Sequence, residues 1–350
     1  MAEQQAKAAS ADVDALIPND PRVQHLDAKI GAYNYHYMLS TPQNPVATIL
    51  LIHGWPDLGM AWRYQIPFLT SLGLRVIAPD LLGYGKTSAP AAREEYAHKK
   101  ICGQLKQLVE QVIGEGEKFL VGGHDWGAAV AWRMGLWHPD LVISIFSLNV
   151  PYYSPNRDWV PFELMLKAVP SFKYQGQLAS PVAEKIVDSS PERLRQFING
   201  MYGGSGPNGE RMFSPAVGII EENLDKIGPA KLMSQDMVDY YVQEYSRNGF
   251  HGPTNWYRLR DLNFEDEKPL AEIEGGWKYK IPAMVVMGEK DPALPPSMAD
   301  GMEKWFENGL KKELARGSGH WAMWQDPMTI NKYIGEFLGG VLGDKVKEKL

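Results

Sequence analysis

An aspartate lies between small residues where a predicted strand turns into a predicted helix, in the segment Gly123-His124-Asp125-Trp126-Gly127. The apolar residues 119–121 indicate a buried strand that ends at Gly122 and Gly123, and residues 126–137 indicate a helix rich in alanine and glycine. Small residues two positions before and after Asp125 let strand and helix approach closely, as they do around a nucleophile in a strained turn. The alternative is an ordinary connection in which Asp125 caps the helix.

Two further residues could complete a catalytic set with this aspartate. Asp291 and His320 each follow the end of a predicted strand, and the carboxyl ends of parallel strands form one ligand-binding edge. Nucleophile, acid and histidine in this order along the chain are typical of hydrolases with a nucleophile at such a turn. Taken alone, Asp291 could be a turn residue before Pro292, and His320 could be an ordinary loop histidine. Together, the three predict a catalytic triad.

Other polar residues near the same edge fit these roles less well. His124 is expected to point away from Asp125 if the strand geometry continues, and His53 lies in a different loop. Asn149 ends the preceding strand, but an amide cannot serve as the acid.

An aspartate nucleophile indicates attack on a saturated carbon. The product of that attack is an ester, which water can cleave, whereas serine would leave a stable ether. With an ordinary pKa of about 3.9, Asp125 is ionised at neutral pH and needs no base for its attack. His320 is then free to activate water for the second step, with Asp291 orienting its ring. Backbone N–H groups of Trp126 and Trp55 are the predicted oxyanion hole for hydrolysis of the ester.

The composition excludes several other classes of function. The net charge of −6 argues against nucleic acid or an anionic membrane as a partner. The single cysteine, Cys102, excludes an internal disulfide and a multi-cysteine metal site. Apolar runs such as residues 141–150 are too short to span a bilayer. We expect a protein without cofactor or metal. We also expect it to be cytoplasmic, since the terminal Glu-Lys-Leu only loosely resembles a peroxisomal signal.

Strand and helix patterns alternate along most of the chain, which predicts an α/β fold with a mostly parallel, doubly wound sheet. Between residues 151 and 264 the strand pattern gives way to helical stretches rich in aromatic residues, methionine, proline and glycine. We therefore expect a core formed by residues 1–150 and 265–350, interrupted by a helical cap, or lid, over residues 151–264.

Four segments together resemble the soluble epoxide hydrolases of the α/β-hydrolase fold. They are His53-Gly54-Trp55-Pro56, Gly83-Tyr84-Gly85, Gly123-His124-Asp125-Trp126-Gly127 and Asn255-Trp256-Tyr257-Arg258. The resemblance covers roughly residues 25–340 and implies an eight-stranded sheet with an inserted cap. It does not extend to the N-terminal phosphatase domain of the vertebrate enzymes, for which we expect no room in this chain.

The same resemblance implies that two cap tyrosines donate hydrogen bonds to the epoxide oxygen. The matching residues are Tyr174, in Phe172-Lys173-Tyr174-Gln175, and Tyr257. An opening epoxide develops alkoxide charge, and a phenol with a pKa near 10 stays a donor at neutral pH. The implied reaction adds water to an epoxide, giving a vicinal diol. The aromatic and methionine content of the cap favours a small apolar epoxide. We expect a monomer or homodimer with a detoxifying role.

Two other functions remain open at this point. A haloalkane dehalogenase also attacks saturated carbon with an aspartate, and the indoles of Trp126 and Trp55 could then hold the halide. A ligand receptor on a hydrolase fold is the second alternative, although nucleophile, base, acid and donors are all present.

Overall fold

A computed structural model describes residues 13–350, which divide into two compact units. The first unit contains the residues up to Leu81, His98–Arg157 and Phe264–Leu350. The second contains Leu82–Ala97 and Asp158–Asn263. No helix within residues 13–350 is long and apolar enough to cross a membrane.

Within the described residues the strands are β1 (Gln24–Ile30), β2 (Tyr33–Ser40), β3 (Ala47–Ile52), β4 (Leu74–Pro79), β5 (Phe119–His124), β6 (Val142–Leu148), β7 (Phe213–Ser214), β8 (Gly218–Ile219), β9 (Ala283–Gly288) and β10 (Leu310–Ala315). The α-helices there are α1 (Gln65–Ser71), α2 (His98–Ile113), α3 (Trp126–Trp137), α4 (Phe162–Ala168), α5 (Tyr174–Ala179), α6 (Val182–Val187), α7 (Pro191–Met201), α8 (Gln235–Tyr245), α9 (His251–Asn255), α10 (Arg260–Ala271), α11 (Ala322–Gln325), α12 (Pro327–Leu342) and α13 (Asp344–Lys347). Short 3₁₀ helices cover Gly59–Trp62, Arg93–Tyr96, Pro170–Phe172, Glu221–Lys226, Pro296–Ala299 and Met302–Trp305.

The first unit is built on an eight-stranded sheet with the order β1-β2-β4-β3-β5-β6-β9-β10. The hairpin β1–β2 is antiparallel and joins β4 in antiparallel fashion, whereas β4, β3, β5, β6, β9 and β10 are all parallel. The central strand β3 is almost completely buried, as expected for a strand with helices on both faces. Strands β5 and β9 therefore end at the same edge of the sheet, as the predicted doubly wound fold requires.

Strand β5 is longer than its apolar run suggests. The glycine pair at 122–123 does not end it, because Gly122 pairs with Leu51 on one side and Phe146 on the other. A Cβ on Gly122 would lie 2.2 Å from the Phe146 ring, so glycine here makes room for an aromatic side chain. The strand continues to His124, which brings Asp125 directly to the sheet edge.

The second unit contains mostly helices, as the sequence of residues 151–264 predicts, together with a small hairpin, β7–β8, that the sequence does not reveal. A two-residue strand is too short to produce an alternating hydrophobic pattern. The glycine-rich loop after Leu82 also belongs to this unit. A Cβ on Gly83 would lie 2.8 Å from the Gly252 backbone, and the Asn248 side chain donates to Gly85 O over 2.8 Å.

Candidate active site

Asp125 lies in a strained turn between β5 and α3. Its φ of 51° and ψ of −126° are unusual for any residue except glycine. The small neighbours are needed for close packing: a Cβ on Gly127 would lie 2.1 Å from Ile52 O, and one on Gly123 would lie 2.3 Å from Gly127 O. The surrounding backbone thus fixes the orientation of the Asp125 side chain, as in a nucleophile elbow.

The side chain of Asp125 does not cap the helix that follows it, which decides against the ordinary connection. Its Oδ1 instead accepts a hydrogen bond of 2.8 Å from the backbone N–H of Trp55, in the loop after β3. Its Oδ2 lies 3.5 Å from His320 Nε2. The carboxylate is therefore held between one predicted oxyanion donor and the predicted base. Trp126, the other predicted donor, is the first residue of α3.

His320 is held by the predicted acid. Its Nδ1 donates to Asp291 Oδ2 over 2.7 Å, and the Asp291 side chain is fully buried. The other oxygen of Asp291 accepts from the backbone N–H groups of Ala293 and Leu294, at 2.9 and 3.0 Å. Asp291 is thus both the turn residue and the partner of His320, so the two interpretations of the sequence describe the same side chain.

Asn149 is a further contributor at this edge. It has a φ of 67°, a backbone conformation that asparagine tolerates better than most residues. Its Nδ2 donates to Asp291 Oδ2 at 2.8 Å and lies 3.2 Å from Gly319 O. Asn149 therefore contacts the acid and the loop that carries the base, a position that the sequence analysis did not assign to it.

His124 also contacts His320, the predicted base. Its Nε2 donates to the backbone carbonyl of His320 over 2.8 Å, and the two rings lie 4.9 Å apart. Burial lowers the pKa of His124 to about 4, so its ring is neutral at physiological pH. His124 therefore contacts the backbone and the ring of His320 as a neutral side chain.

The triad carries a strong electrostatic bias. Burial alone would disfavour a charged His320 ring, but Asp291 and Asp125 together raise its pKa to about 10. Burial would likewise raise the pKa of Asp125, yet its hydrogen bond to His320 keeps that pKa below the ordinary value. In the resting site, therefore, an ionised Asp125 faces a protonated His320.

Both predicted tyrosines belong to the second unit and lie against one another. Their rings are 6.0 Å apart in an edge-on arrangement, with Tyr174 at 7% and Tyr257 at 4% exposure. Phe213, on the hairpin β7–β8, packs edge-on against Tyr174 at 5.4 Å.

The residues flanking Tyr257 are anchored on both sides, which explains the Asn-Trp-Tyr-Arg pattern. Trp256 is completely buried, and its indole N–H donates to Leu82 O over 3.2 Å. Arg258 donates to Asn255 Oδ1 over 2.8 Å and to Ala179 O, at the end of α5, over 2.8 Å. The chain around Tyr257 is thereby fixed at three points within this unit.

No group of three or more His, Cys, Asp or Glu side chains within residues 13–350 is arranged to hold a metal ion.

Comparison with known proteins shows the family to which this fold belongs. The model of a family described as the alpha/beta hydrolase family matches residues 49–331. Among solved structures, epoxide hydrolase A from Mycobacterium thermoresistibile superposes with a TM-score of 0.76 at 28% identity, covering 91% of this chain and 98% of that one.

Proteins with similar sequences identify the group of enzymes within this family. Epoxide hydrolase srdG of Neurospora crassa is 45% identical over 93% of this chain and 98% of its own length. Bifunctional epoxide hydrolase 2 of Rattus norvegicus is 33% identical over 83% of this chain, which spans 51% of that longer protein. The chain therefore belongs to the epoxide hydrolases of the α/β-hydrolase family.

Proposed function

We propose that this protein converts epoxides to vicinal diols through a covalent ester on Asp125, with water as the second substrate. The observation that carries the proposal is the position of the Asp125 carboxylate, which lies in a strained turn between the Trp55 N–H and His320. An ionised carboxylate in this position is a nucleophile for saturated carbon, and its product remains within reach of a base.

In the first step, Asp125 attacks a ring carbon and the carbon–oxygen bond of the epoxide breaks. The departing oxygen stays attached to the substrate as an alkoxide and requires a proton or a strong donor. We assign this task to Tyr174 and Tyr257, supported by the two family motifs and by the 6.0 Å separation of their rings. Residues 151–264 would then serve as the cap that carries both phenols.

Formation of the ester changes the charge around His320. Asp125 becomes neutral, so His320 loses one of the two anions that raise its pKa to about 10. Its proton then passes through solvent to the tyrosine that protonated the alkoxide. The neutral His320 ring accepts a proton from the water that attacks the carbonyl carbon of the ester. The N–H groups of Trp55 and Trp126 stabilise the resulting oxyanion, and His320 returns its proton to the departing diol.

The nature of the substrate and the setting of the protein are part of the same proposal. The aromatic rings of Phe213, Tyr174 and Tyr257 support a small apolar epoxide as substrate. A single buried cysteine fits a reducing, cytoplasmic setting, where removal of reactive epoxides would be the purpose. We expect a monomer or homodimer.

His320→Gln provides the direct test. This change leaves the attack by Asp125 possible but removes the base, so an adduct with the mass of the epoxide should accumulate on Asp125. Intact-protein mass spectrometry after mixing with styrene oxide would detect it, and peptide mapping would locate it.

The double variant Asp125→Asn/His320→Gln is the matched control and should remain unmodified. Absence of the adduct in His320→Gln with bound substrate would contradict the mechanism. Halide release from a bromoalkane by the unmodified protein, without diol formation from styrene oxide, would instead identify a haloalkane dehalogenase.

A further inference from the structure

The carboxylate of Glu184, in α6, joins separate segments of the second unit around the two tyrosines. Its Oε1 accepts a 2.7 Å hydrogen bond from Thr254 Oγ1 and a short one from the Arg258 guanidinium. Its Oε2 lies 3.0 Å from His251 Nδ1. Thr254 and His251 belong to α9, directly before Tyr257, so Glu184 fixes both the helix before this tyrosine and the residue after it.

Arg258 extends the same connection to the helix that carries Tyr174. Its Nε donates to Ala179 O over 2.8 Å, and its Nη2 lies 3.3 Å from Ser180 O. These carbonyls are at the C-terminal end of α5, whose first residue is Tyr174. A single guanidinium therefore ties the end of α5 to the residue next to Tyr257, and Glu184 holds that guanidinium in place.

This ion pair is more shielded from water than an ordinary surface pair. The side chain of Glu184 is 20% exposed and that of Arg258 is 16% exposed. Although burial opposes ionisation, the hydrogen bonds from Arg258, Thr254 and His251 keep the pKa of Glu184 below its ordinary value. An ionised carboxylate with three donors has a defined orientation, which an exposed salt bridge rarely achieves.

We infer that Glu184 is a positioning residue for ring opening, because it sets the spacing between Tyr174 and Tyr257. The inference rests on the proposed role of these tyrosines, whose hydroxyl groups must both reach one epoxide oxygen. A displacement of about 1 Å in such a pair can slow a reaction by about a hundredfold. Glu184 needs no contact with the substrate to have this effect, since it acts through both tyrosines.

Single-turnover kinetics with styrene oxide tests the inference. Glu184→Ala should slow formation of the Asp125 ester at least about tenfold, since a displacement of about 1 Å can slow such a reaction by about a hundredfold. Glu184→Gln keeps the shape and part of the hydrogen bonding, so its loss should be smaller. Hydrolysis of the preformed ester, measured by rapid quenching and mass spectrometry, should proceed at the unmodified rate in both variants.

Glu244→Gln is the matched control in the same unit. Glu244 pairs with Arg247, three residues further along the chain, at 2.7 Å. The Glu244→Gln variant therefore weakens the same kind of ion pair with arginine, but this pair does not join α5 to Tyr257. Equal slowing of ester formation and hydrolysis in the Glu184 variants would overturn the inference. So would a loss of ester formation no larger than that in Glu244→Gln. If Glu184→Ala does not fold, the comparison of Glu184→Gln with Glu244→Gln decides the question.

Tyr257→Phe separates failure of the inference from failure of the proposed function. If Tyr257→Phe forms the ester at an unchanged rate, the tyrosine role itself is wrong. If Tyr257→Phe is slow, Glu184→Gln should have a smaller effect in that background than in the unmodified protein, because both changes act on the same pair. Full additivity of the two losses would overturn the positioning role of Glu184 alone.

Discussion

At the scale of single residues, the acid of the site illustrates how little freedom a buried carboxylate retains. Oδ2 of Asp291 receives two side-chain donors, His320 and Asn149, while Oδ1 receives two backbone N–H groups. Four donors hold its pKa well below the usual range despite burial. The His320 ring is accordingly oriented by the Asp291 carboxylate, which is fixed by its donors and stays ionised at neutral pH.

Removing the Asn149 amide should weaken this arrangement. Asn149→Gly suits the backbone φ of 67°, whereas Asn149→Ala adds strain of about 1 kcal/mol in the left-handed region. We expect both to slow ester hydrolysis several-fold, because Asp291 loses one donor and holds His320 less firmly. Both should lower the urea midpoint because a buried hydrogen bond to Asp291 is lost, and Asn149→Ala should lower it further because of the backbone strain. Rapid-quench kinetics and urea unfolding of the two variants would check this, and unchanged hydrolysis in Asn149→Gly would contradict it.

The residues that sequence reasoning assigned directly are those with a local signature. Asp125 is recognised from its small neighbours, and Asp291 and His320 from strand ends and chain order. Asn149 and His124 carry no such signature, because their partners are distant in sequence: His124 contacts the carbonyl of a residue 196 positions away. The assignment of Tyr174 and Tyr257 came from the family resemblance. The catalytic roles of these two tyrosines and of Asp125, Asp291 and His320 stay predictions.

At the scale of elements, the turn from β5 to α3 depends on backbone proximity. The first turn of α3 lies against the end of β3 so closely that a Cβ on Gly127 would meet the backbone at Ile52 O. Backbone atoms cannot rotate away as a side chain can, so the contact specifies glycine more strictly than any preference for a turn.

Gly127→Ala should therefore push α3 away from β3 and displace Asp125. We expect the free energy of unfolding to fall by about 3 kcal/mol, with a loss of activity larger than this destabilisation explains. Gly103→Ala in α2 is the matched control, because a Cβ there has nothing within 4 Å, and it should stabilise by about 0.8 kcal/mol. Urea unfolding and diol formation measure both variants. A Gly127→Ala protein as stable and active as the unmodified one would show that the contact yields.

Local sequence patterns predicted the bounds of some elements closely and those of others only in part. The helix predicted over residues 126–137 is observed with those bounds as α3. Errors occurred where tertiary contacts override local preference, as at Gly122, which stays in β5 because the Phe146 ring needs the space. The hairpin β7–β8 was missed because it is held by contacts with α5. The side-chain amide of Gln177 donates through its nitrogen to Ile219 O and accepts through its oxygen from Ile219 N–H.

At the scale of the whole molecule, the buried histidines have opposite effects on how the stability of the fold changes with pH. Burial lowers the pKa of His53, His98 and His124 to about 4, and their rings are neutral in the folded protein. The pKa of His320 is raised to about 10. Unfolding returns all four to ordinary values near 6.5, so pH acts on the two groups in opposite directions.

Stability should consequently be greatest near pH 6.5. Between about pH 6.5 and 4 the unfolded chain takes up protons at His53, His98 and His124 that the folded protein does not, so acid favours unfolding. Above about pH 6.5 the stabilisation by charged His320 declines until the pH passes its folded pKa of about 10. Urea unfolding across pH 5–9 measures this, and a monotonic rise of the midpoint over that range would contradict it.

The glycine-rich loop that follows Leu82 makes the second unit discontinuous in sequence. Because Leu82–Ala97 is part of the second unit, the chain enters and leaves that unit twice. Replacing the whole second unit with that of another enzyme would require the exchange of two segments, Leu82–Ala97 and Asp158–Asn263. Exchanging residues 158–263 alone would remove Trp256 from its acceptor at Leu82 O and Asn248 from Gly85 and Thr87. Exchange of that one segment is therefore expected to weaken the second unit itself.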